Sequence, residues 1–295
     1  MTDWSVLDGL AALAPHTGPF PRAEFLRAWW RHRPQGELIV KRSGGGALVV
    51  VHDQGVARLA GEADLTDYHS PLGSEVAAAA GGVVALLGGG TRLEFDSLPI
   101  EAAEPLVNAF GAAGVALAMR HHDAAMVLDL PRDPEAYLAA LDGKQRHEVR
   151  RKHRRFTEEA GTPTLRRDPD GVGRFAAMHR TAAGDKGGFM TTEMEVFFAS
   201  LVDEAGAVID VLHDGAGDPV GAAFGFEDAD TYYLYNSAFD QTRSALSPGV
   251  VLVTALIEAA IVSGRRRFDF LKGGEEYKVR LGARPRPLYL LEGST

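Results

Sequence analysis

The sequence predicts an α/β (α+β) protein of two tandem domains, each a mixed, mostly antiparallel sheet flanked by helices. Three observations predict it. Short strand patterns joined by tight turns occur twice, at 37–60 and 208–239, and each set is followed by an apolar helical run and one more strand. Pro131-Arg132-Asp133-Pro134 is the strongest punctuation in the chain and sets a junction between domains 1–130 and 131–295. The 295 residues, 45% of them hydrophobic and 24% charged, hold core material for two domains and carry no signature of disorder.

The elements follow in order. A helix is predicted from Pro21 to Arg33, with Pro21 in its first turn and Phe25, Leu26, Trp29 and Trp30 on its apolar side. Strands at Glu37–Arg42, Ala47–His52 and Val56–Ala60 form a meander through Ser43-Gly44-Gly45-Gly46 and Asp53-Gln54-Gly55. An Ala-rich helix follows Pro71. Strands are then predicted near Val83–Leu87 and Arg92–Phe95, a helix over Ile100–Ala113, and strands near Val115–Met119 and Met126–Leu130. In the second half, helix Glu135–Leu141 leads into a basic helix, Lys144–Glu159, which Gly161 ends. A strand at Thr162–Arg167 and helices Gly171–Ala183 and Glu193–Glu204 come next. Strands Val208–His213, Pro219–Glu227 and Thr231–Phe239 precede helix Val250–Ser263, strand Arg267–Leu271 and an extended segment, Pro287–Leu291. Both halves thus run helix, meander, helix, strand.

Composition excludes several classes. The absence of cysteine removes disulfides, a thiol nucleophile and thiolate metal sites. The longest apolar run, Val250–Val262, spans 13 residues and contains Glu258, too short for membrane insertion. The opening residues lack the basic start and apolar core of a signal peptide. A cytoplasmic protein is the expectation. Net charge is −9, yet residues 144–167 carry +6 and residues 264–295 carry +4, leaving −19 on the remainder. Such islands serve an anionic ligand or are solvated helix faces, and the acidic remainder argues against DNA as a partner. The island at 144–155 holds seven Lys/Arg and two His but no interleaved aromatics, which disfavours base-stacking on RNA. Gly88-Gly89-Gly90 lacks the Lys-Ser/Thr of a phosphate loop and reads as a turn. His121-His122-Asp123 would point its neighbours to opposite faces of a strand, so no metal is expected.

Chemistry concentrates between Tyr232 and Lys278. Ser247-Pro248-Gly249 opens a helix whose free N–H groups are those of Gly249, Val250 and Val251; a Ser247 hydroxyl cap is expected. A helix N-terminus held beside two strands suits a diphosphate, and an ordinary capped helix start is the plainer alternative. Strand alternation would put Tyr233, Tyr235 and Ser237 on one face and Leu234, Asn236 and Ala238 on the other. Asp269 lies between two phenylalanines, where an unpaired carboxylate is costly. Glu275, Tyr277 and Lys278 follow Gly273-Gly274 just beyond that strand. A titratable cluster here can supply a general base, for which Asp269 and Glu275 are the candidates, and a general acid. Lys278 can neutralise an oxyanion or a phosphate. These groups read equally as a solvated strand end. His179 precedes Gly184-Asp185-Lys186-Gly187-Gly188-Phe189, a loop that can line an acceptor pocket, while the histidine itself reads first as a packed or surface residue.

The segments YLAALDGKQRHEVRRKHRRF, GDPVGAAFGFEDADTYYLYNSAFD, SPGVVLVTALIEAAIVSGRRRFDFLKGG and EEYK resemble the GNAT acyltransferase superfamily, specifically its cellulose-biosynthesis CelD type, related to the FemAB aminoacyltransferases. The resemblance covers about 123–285 and implies two GNAT-like domains, the N-terminal one non-catalytic. It implies acetyl-CoA or another acyl-CoA as donor, held at Asn236, Ser237, Arg243, Ser247, Gly249, Val250 and Val251. The backbone at Asn236 and Ser237 would polarise the thioester carbonyl, and Tyr277 would be the acid. The superfamily's spaced-glycine pyrophosphate loop is not intact in Arg243-Ser244-Ala245-Leu246-Ser247-Pro248-Gly249. The expected activity is acyl-CoA-dependent N-acyl transfer to an amine of a small molecule or saccharide precursor. The alternatives are FemAB-like transfer from aminoacyl-tRNA and a non-catalytic binding protein.

Overall fold

The structure, a computed structural model, describes residues 2–295 and divides into two compact units. One comprises residues up to Ala125 together with Arg286–Thr295; the other is Met126–Pro285. The last ten residues, placed by sequence reading in the second domain, therefore fold with the first unit.

The first unit contains α1 (Ala23–His32), the meander β1 (Glu37–Ser43), β2 (Gly46–Asp53) and β3 (Val56–Leu59), the short β4 (Leu72–Gly73), α2 (Val76–Leu87), β5 (Arg92–Leu98) and α3 (Ile100–Ala112). The chain passes into the second unit along β6 (Leu117–Asp129). Two expectations are corrected. Val83–Leu87 is the end of α2, not a strand: Val76, Ala79, Ala80, Val83 and Leu87 recur every three or four residues and are all buried, a helical period that a short apolar run conceals. The strands expected at 115–119 and 126–130 are one 13-residue strand, because the polar His121-His122-Asp123 stays extended and needs no turn.

In the second unit, α4 (Pro134–Ala140) and α5 (Gly143–Ala160) start under carboxylate caps, Asp133 on Ala136 N–H and Asp142 on Gln145 N–H. Gly161, at φ +78°, ends α5. There follow β7 (Thr164–Arg167), α6 (Val172–Arg180), α7 (Asp185–Phe189), α8 (Thr192–Ala205), β8 (Val208–His213), β9 (Pro219–Glu227) and β10 (Thr231–Phe239). After a 3-10 turn at Gln241–Leu246 come α9 (Pro248–Val262), β11 (Arg267–Lys272) and α10 (Glu276–Arg280); β12 (Arg284–Ser294) then returns the chain to the first unit. The strand order is β11-β10-β9-β8-β7, antiparallel except for the parallel pair β10–β11.

Two cores hold this sheet. The apolar run of α9 is buried nearly all round: Val251, Leu252, Leu256 and Ile257 pack with Phe156 of α5 and with Tyr232, Leu234 and Phe268 of the sheet. On α6, α8 and β9, Phe175, Phe198 and Phe224 form an aromatic set, with Phe198 and Phe224 centroids 4.6 Å apart. The internal parallel foreseen in the sequence has a structural counterpart. In each unit a meander is followed by a long helix and a strand that pairs parallel with the meander's third strand, β5 with β3 and β11 with β10.

Candidate functional site

β10 and β11 pair over only three positions, Thr231↔Arg267, Tyr232↔Phe268 and Tyr233↔Asp269. Beyond Tyr233 no further pair joins them, although β10 continues to Phe239 and β11 to Lys272. At the same level β10 shifts register against β9 between Leu234 and Asn236, so that Tyr235 is an extra residue. A bulge of this kind breaks strict alternation. The predicted faces are corrected accordingly. Tyr235 packs on Phe198 and Phe226, at 5.6 and 5.5 Å, and Asn236 bonds His179, whose ring contacts Phe175 of the same aromatic set. Asn236 thus joins Tyr235 on the α6–α8 face.

Asn236 Oδ1 accepts hydrogen bonds from Ser237 N–H at 2.8 Å and from His179 Nε2 at 3.2 Å. His179 is 1% exposed, and its Nδ1 is buried with no partner among the described residues. Burial and the Lys186 charge depress its pKa below the ordinary 6.5. Lys186, an exposed side chain, feels the charge of Glu275 in turn. His179, Lys186, Glu275 and Asn236 therefore form one electrostatic neighbourhood where the strands part.

The strand end past β11 is built by two braces. Asp269, fully buried, accepts from Leu271 N–H at 2.8 Å and supports Leu271 at φ +61°, a conformation a branched side chain rarely takes. Lys278, 3% exposed, donates to the carbonyls of Lys272 (2.7 Å) and Gly273 (3.0 Å) and pairs with Glu275 Oε2 at 2.8 Å. Gly273, at φ +101°, takes a backbone conformation in which a residue with a Cβ would be strained. Tyr277 lies on α10, a helix the sequence did not announce, with its ring 6.2 Å from Phe270. Desolvation and Glu275 raise its phenol above the ordinary 10.0, so it stays protonated at neutral pH.

The phosphate turn differs from expectation. Ser247 adopts the left-handed conformation (φ 54°, ψ 46°) and gives no side-chain cap. Its carbonyl instead takes Val250 N–H and Val251 N–H, at 3.0 and 3.3 Å, which leaves Gly249 N–H as the one of the three not spent in the turn. Gly249 is small because the Phe239 ring lies 3.2 Å from where its Cβ would be. Arg243 is paired with Asp214 at 2.8 Å, so this cation is held against the β8–β9 turn. Along α5, Glu148 pairs with Arg151 and Lys152, Glu158 with Arg154 and Glu159 with Arg155, while Lys144 and Arg150 have no ion pair among the described residues. His153 reaches Thr254 of α9 at 2.6 Å and fixes α5 beside that helix.

A cavity of about 420 Å³ lies elsewhere in this unit, lined by Leu128, Tyr137, Leu141, Gly282 and Arg284 among others; none of the sequence-predicted site residues lines it. Among the described residues no group of three or more His, Asp or Glu could hold a metal ion, and no helix is long and apolar enough to cross a membrane.

The second unit is thus a mixed α/β unit whose parallel strand pair parts beside a helix N-terminus. Residues 143–279 match the family model for the acetyltransferase (GNAT) domain. Solved structures similar over most of the chain include a conserved protein of unknown function from Bacteroides thetaiotaomicron, 12% identical, with 92% of this chain and 90% of that chain covered and a TM-score of 0.65. FemX is 9% identical over 97% of this chain and 94% of that chain, with a TM-score of 0.63. L-PGS from Bacillus licheniformis is 12% identical over 93% and 92%, with a TM-score of 0.60. At these identities the structures speak to fold alone. No curated protein matches the chain.

Proposed function

We propose that the second unit is an acyl-CoA-dependent N-acyltransferase of the CelD type, moving an acyl group directly from a thioester to an amine of a small molecule or saccharide precursor. The observation that carries this reading is the parting of β10 from β11 after Tyr233, which opens a slot between strands beside the start of α9. In this reading the donor's pantetheine lies along the slot and its carbonyl meets the backbone at Asn236 and Ser237. Its diphosphate lies at the turn Ser247–Gly249, where Gly249 N–H is available while Val250 and Val251 N–H are held by the Ser247 carbonyl.

The chemistry divides among the groups past β11. Tyr277, protonated at neutral pH, donates to the leaving thiolate. Of the two carboxylates, Asp269 is committed to the strand end, whereas Glu275, 58% exposed at its side chain, can pass protons to solvent. Lys278 has three acceptors of its own and acts by holding Glu275 and the 272–273 backbone in place.

The N-terminal unit is proposed to be non-catalytic. At the corresponding helix start, before α2, the Glu75 carboxylate accepts Gly45 N–H at 2.9 Å and would repel a phosphate. Transfer from tRNA is the weaker reading, because much of the α5 charge is neutralised by its own glutamates.

Tyr277→Phe and Glu275→Gln are each expected to slow thiol release from acetyl-CoA about 100-fold with unchanged thermal stability. Full rates in both variants, measured with a thiol-reactive dye, would remove these residues from the mechanism.

A further inference from the structure

We propose that His179 is the proton acceptor of the transfer reaction, and that Asn236 is the positioning residue that keeps its Nδ1 free for that task. The proposal rests on the transferase reading above.

The tautomer follows from one backbone contact. Ser237 N–H can only donate, so the Asn236 atom 2.8 Å away is its carbonyl oxygen, Oδ1. The same oxygen faces His179 Nε2 at 3.2 Å, and an oxygen there demands a proton on Nε2. In the neutral ring Nδ1 is then a bare lone pair, and it is buried with no partner among the described residues. Leaving a buried polar atom unsatisfied costs about 1–3 kcal/mol, and because His52, His69 and His213 each carry one such ring nitrogen too, it is the position of His179 that distinguishes it. The location is the second observation. Asn236 lies past Tyr233↔Asp269, the last pair before β10 and β11 separate, so the imidazole bonded to it lies at the level where the strands part. A base is wanted at that place, because the acceptor's attacking atom must meet the donor carbonyl there.

The surroundings keep the ring neutral. Phe175 and Phe189 flank it at 5.7 and 5.8 Å, and Lys186 of α7 adds a like charge. Glu275 draws on Lys186 from the loop before α10. Arg180, next along α6, is occupied by Glu195 of α8 at 2.6 Å, and β10 presents the neutral Asn236 to the ring. With its pKa held below 6.5, His179 is in the base form at neutrality and loses it as pH falls.

The step balances as follows. The acceptor nitrogen attacks the thioester carbonyl, the C–N bond forms, and the nitrogen's proton passes to His179 Nδ1. The C–S bond breaks, sulfur leaves with the bonding pair, and Tyr277 Oη protonates it. Imidazolium and phenolate then restore themselves by returning one proton through Glu275 and solvent.

The test uses the full chain with acetyl-CoA as donor and hydroxylamine, held at a constant concentration of its free base, as surrogate acceptor, following thiol release against pH. His179→Gln is expected to lower the rate about 100-fold and to abolish the acid limb of the profile while acetyl-CoA affinity is kept. Asn236→Ala should shift that limb, and Glu275→Gln should preserve it. An acid limb that survives in His179→Gln, or disappears in Glu275→Gln alone, overturns the assignment. Nitrogen-15 spectra of the histidine-labelled wild type supply a readout independent of any variant's folding. A proton on Nε2 with Nδ1 bare is the expected result, and a proton on Nδ1 would overturn the proposal. Wild-type protein that binds no acetyl-CoA would instead bring down the transferase reading, and this assignment with it.

Discussion

Phe224→Ala is expected to lower the unfolding free energy by about 3–5 kcal/mol, the range for removing a fully buried aromatic ring. Phe224 has no exposure and sits at the junction of the α6–α8 aromatic set, with Phe198, Phe175, Phe226 and Tyr235 rings 4.6, 5.7, 6.0 and 6.1 Å away. These partners sit on four elements, so the cavity cannot close by moving one side chain. Phe224 also faces Asn236 in the register between β9 and β10, which ties the loss to the bulge that seats His179. The measurement is a denaturant midpoint at unchanged slope. A loss below about 1 kcal/mol would mean the ring set is not packed as described.

Lys278→Met is the second large effect. Methionine keeps the apolar stem but removes the donors that Lys272 and Gly273 carbonyls use, and hydrogen bonds to a charged group contribute about 1.5–3 kcal/mol each. The Glu275 pair adds less, because that carboxylate is largely in water. The expected outcome is a loss of about 3 kcal/mol together with turnover reduced by more than the Glu275→Gln change alone, since the whole 272–278 loop loses its anchor. A variant as stable as wild type but inactive would instead give Lys278 the direct oxyanion role that its residue type suggests.

Much of the fold was legible because local and tertiary preferences agree. The meander at 208–239 has turn residues at the right offsets, and the basic helix has a capping aspartate at one end and a glycine at the other. Val83–Leu87 was misread because a short apolar run carries no period of its own until Val76, Ala79 and Ala80 are placed beside it. The site was legible in its location and much less in its roles. Asp269 and Lys278 are residue types that catalysis uses, yet their burial against specific backbone atoms makes them braces, and no spacing rule reveals such partners. The bulge at Tyr235 is a register property of two strands, so alternation read from one strand put Asn236 on the wrong face. His179 was visible as a histidine near a glycine-rich loop; only the 57-residue contact to Asn236 shows that one of its nitrogens is held and the other left free.

The central claim is that the slot between β10 and β11 takes an acyl-CoA. Calorimetric titration of the purified protein with CoA, acetyl-CoA and longer acyl-CoAs tests it most directly. Saturable binding with a dissociation constant on the order of micromolar and a preference among chain lengths is the predicted result. Folded protein that gives no binding heat with any of them, and no thermal stabilisation in their presence, would contradict it.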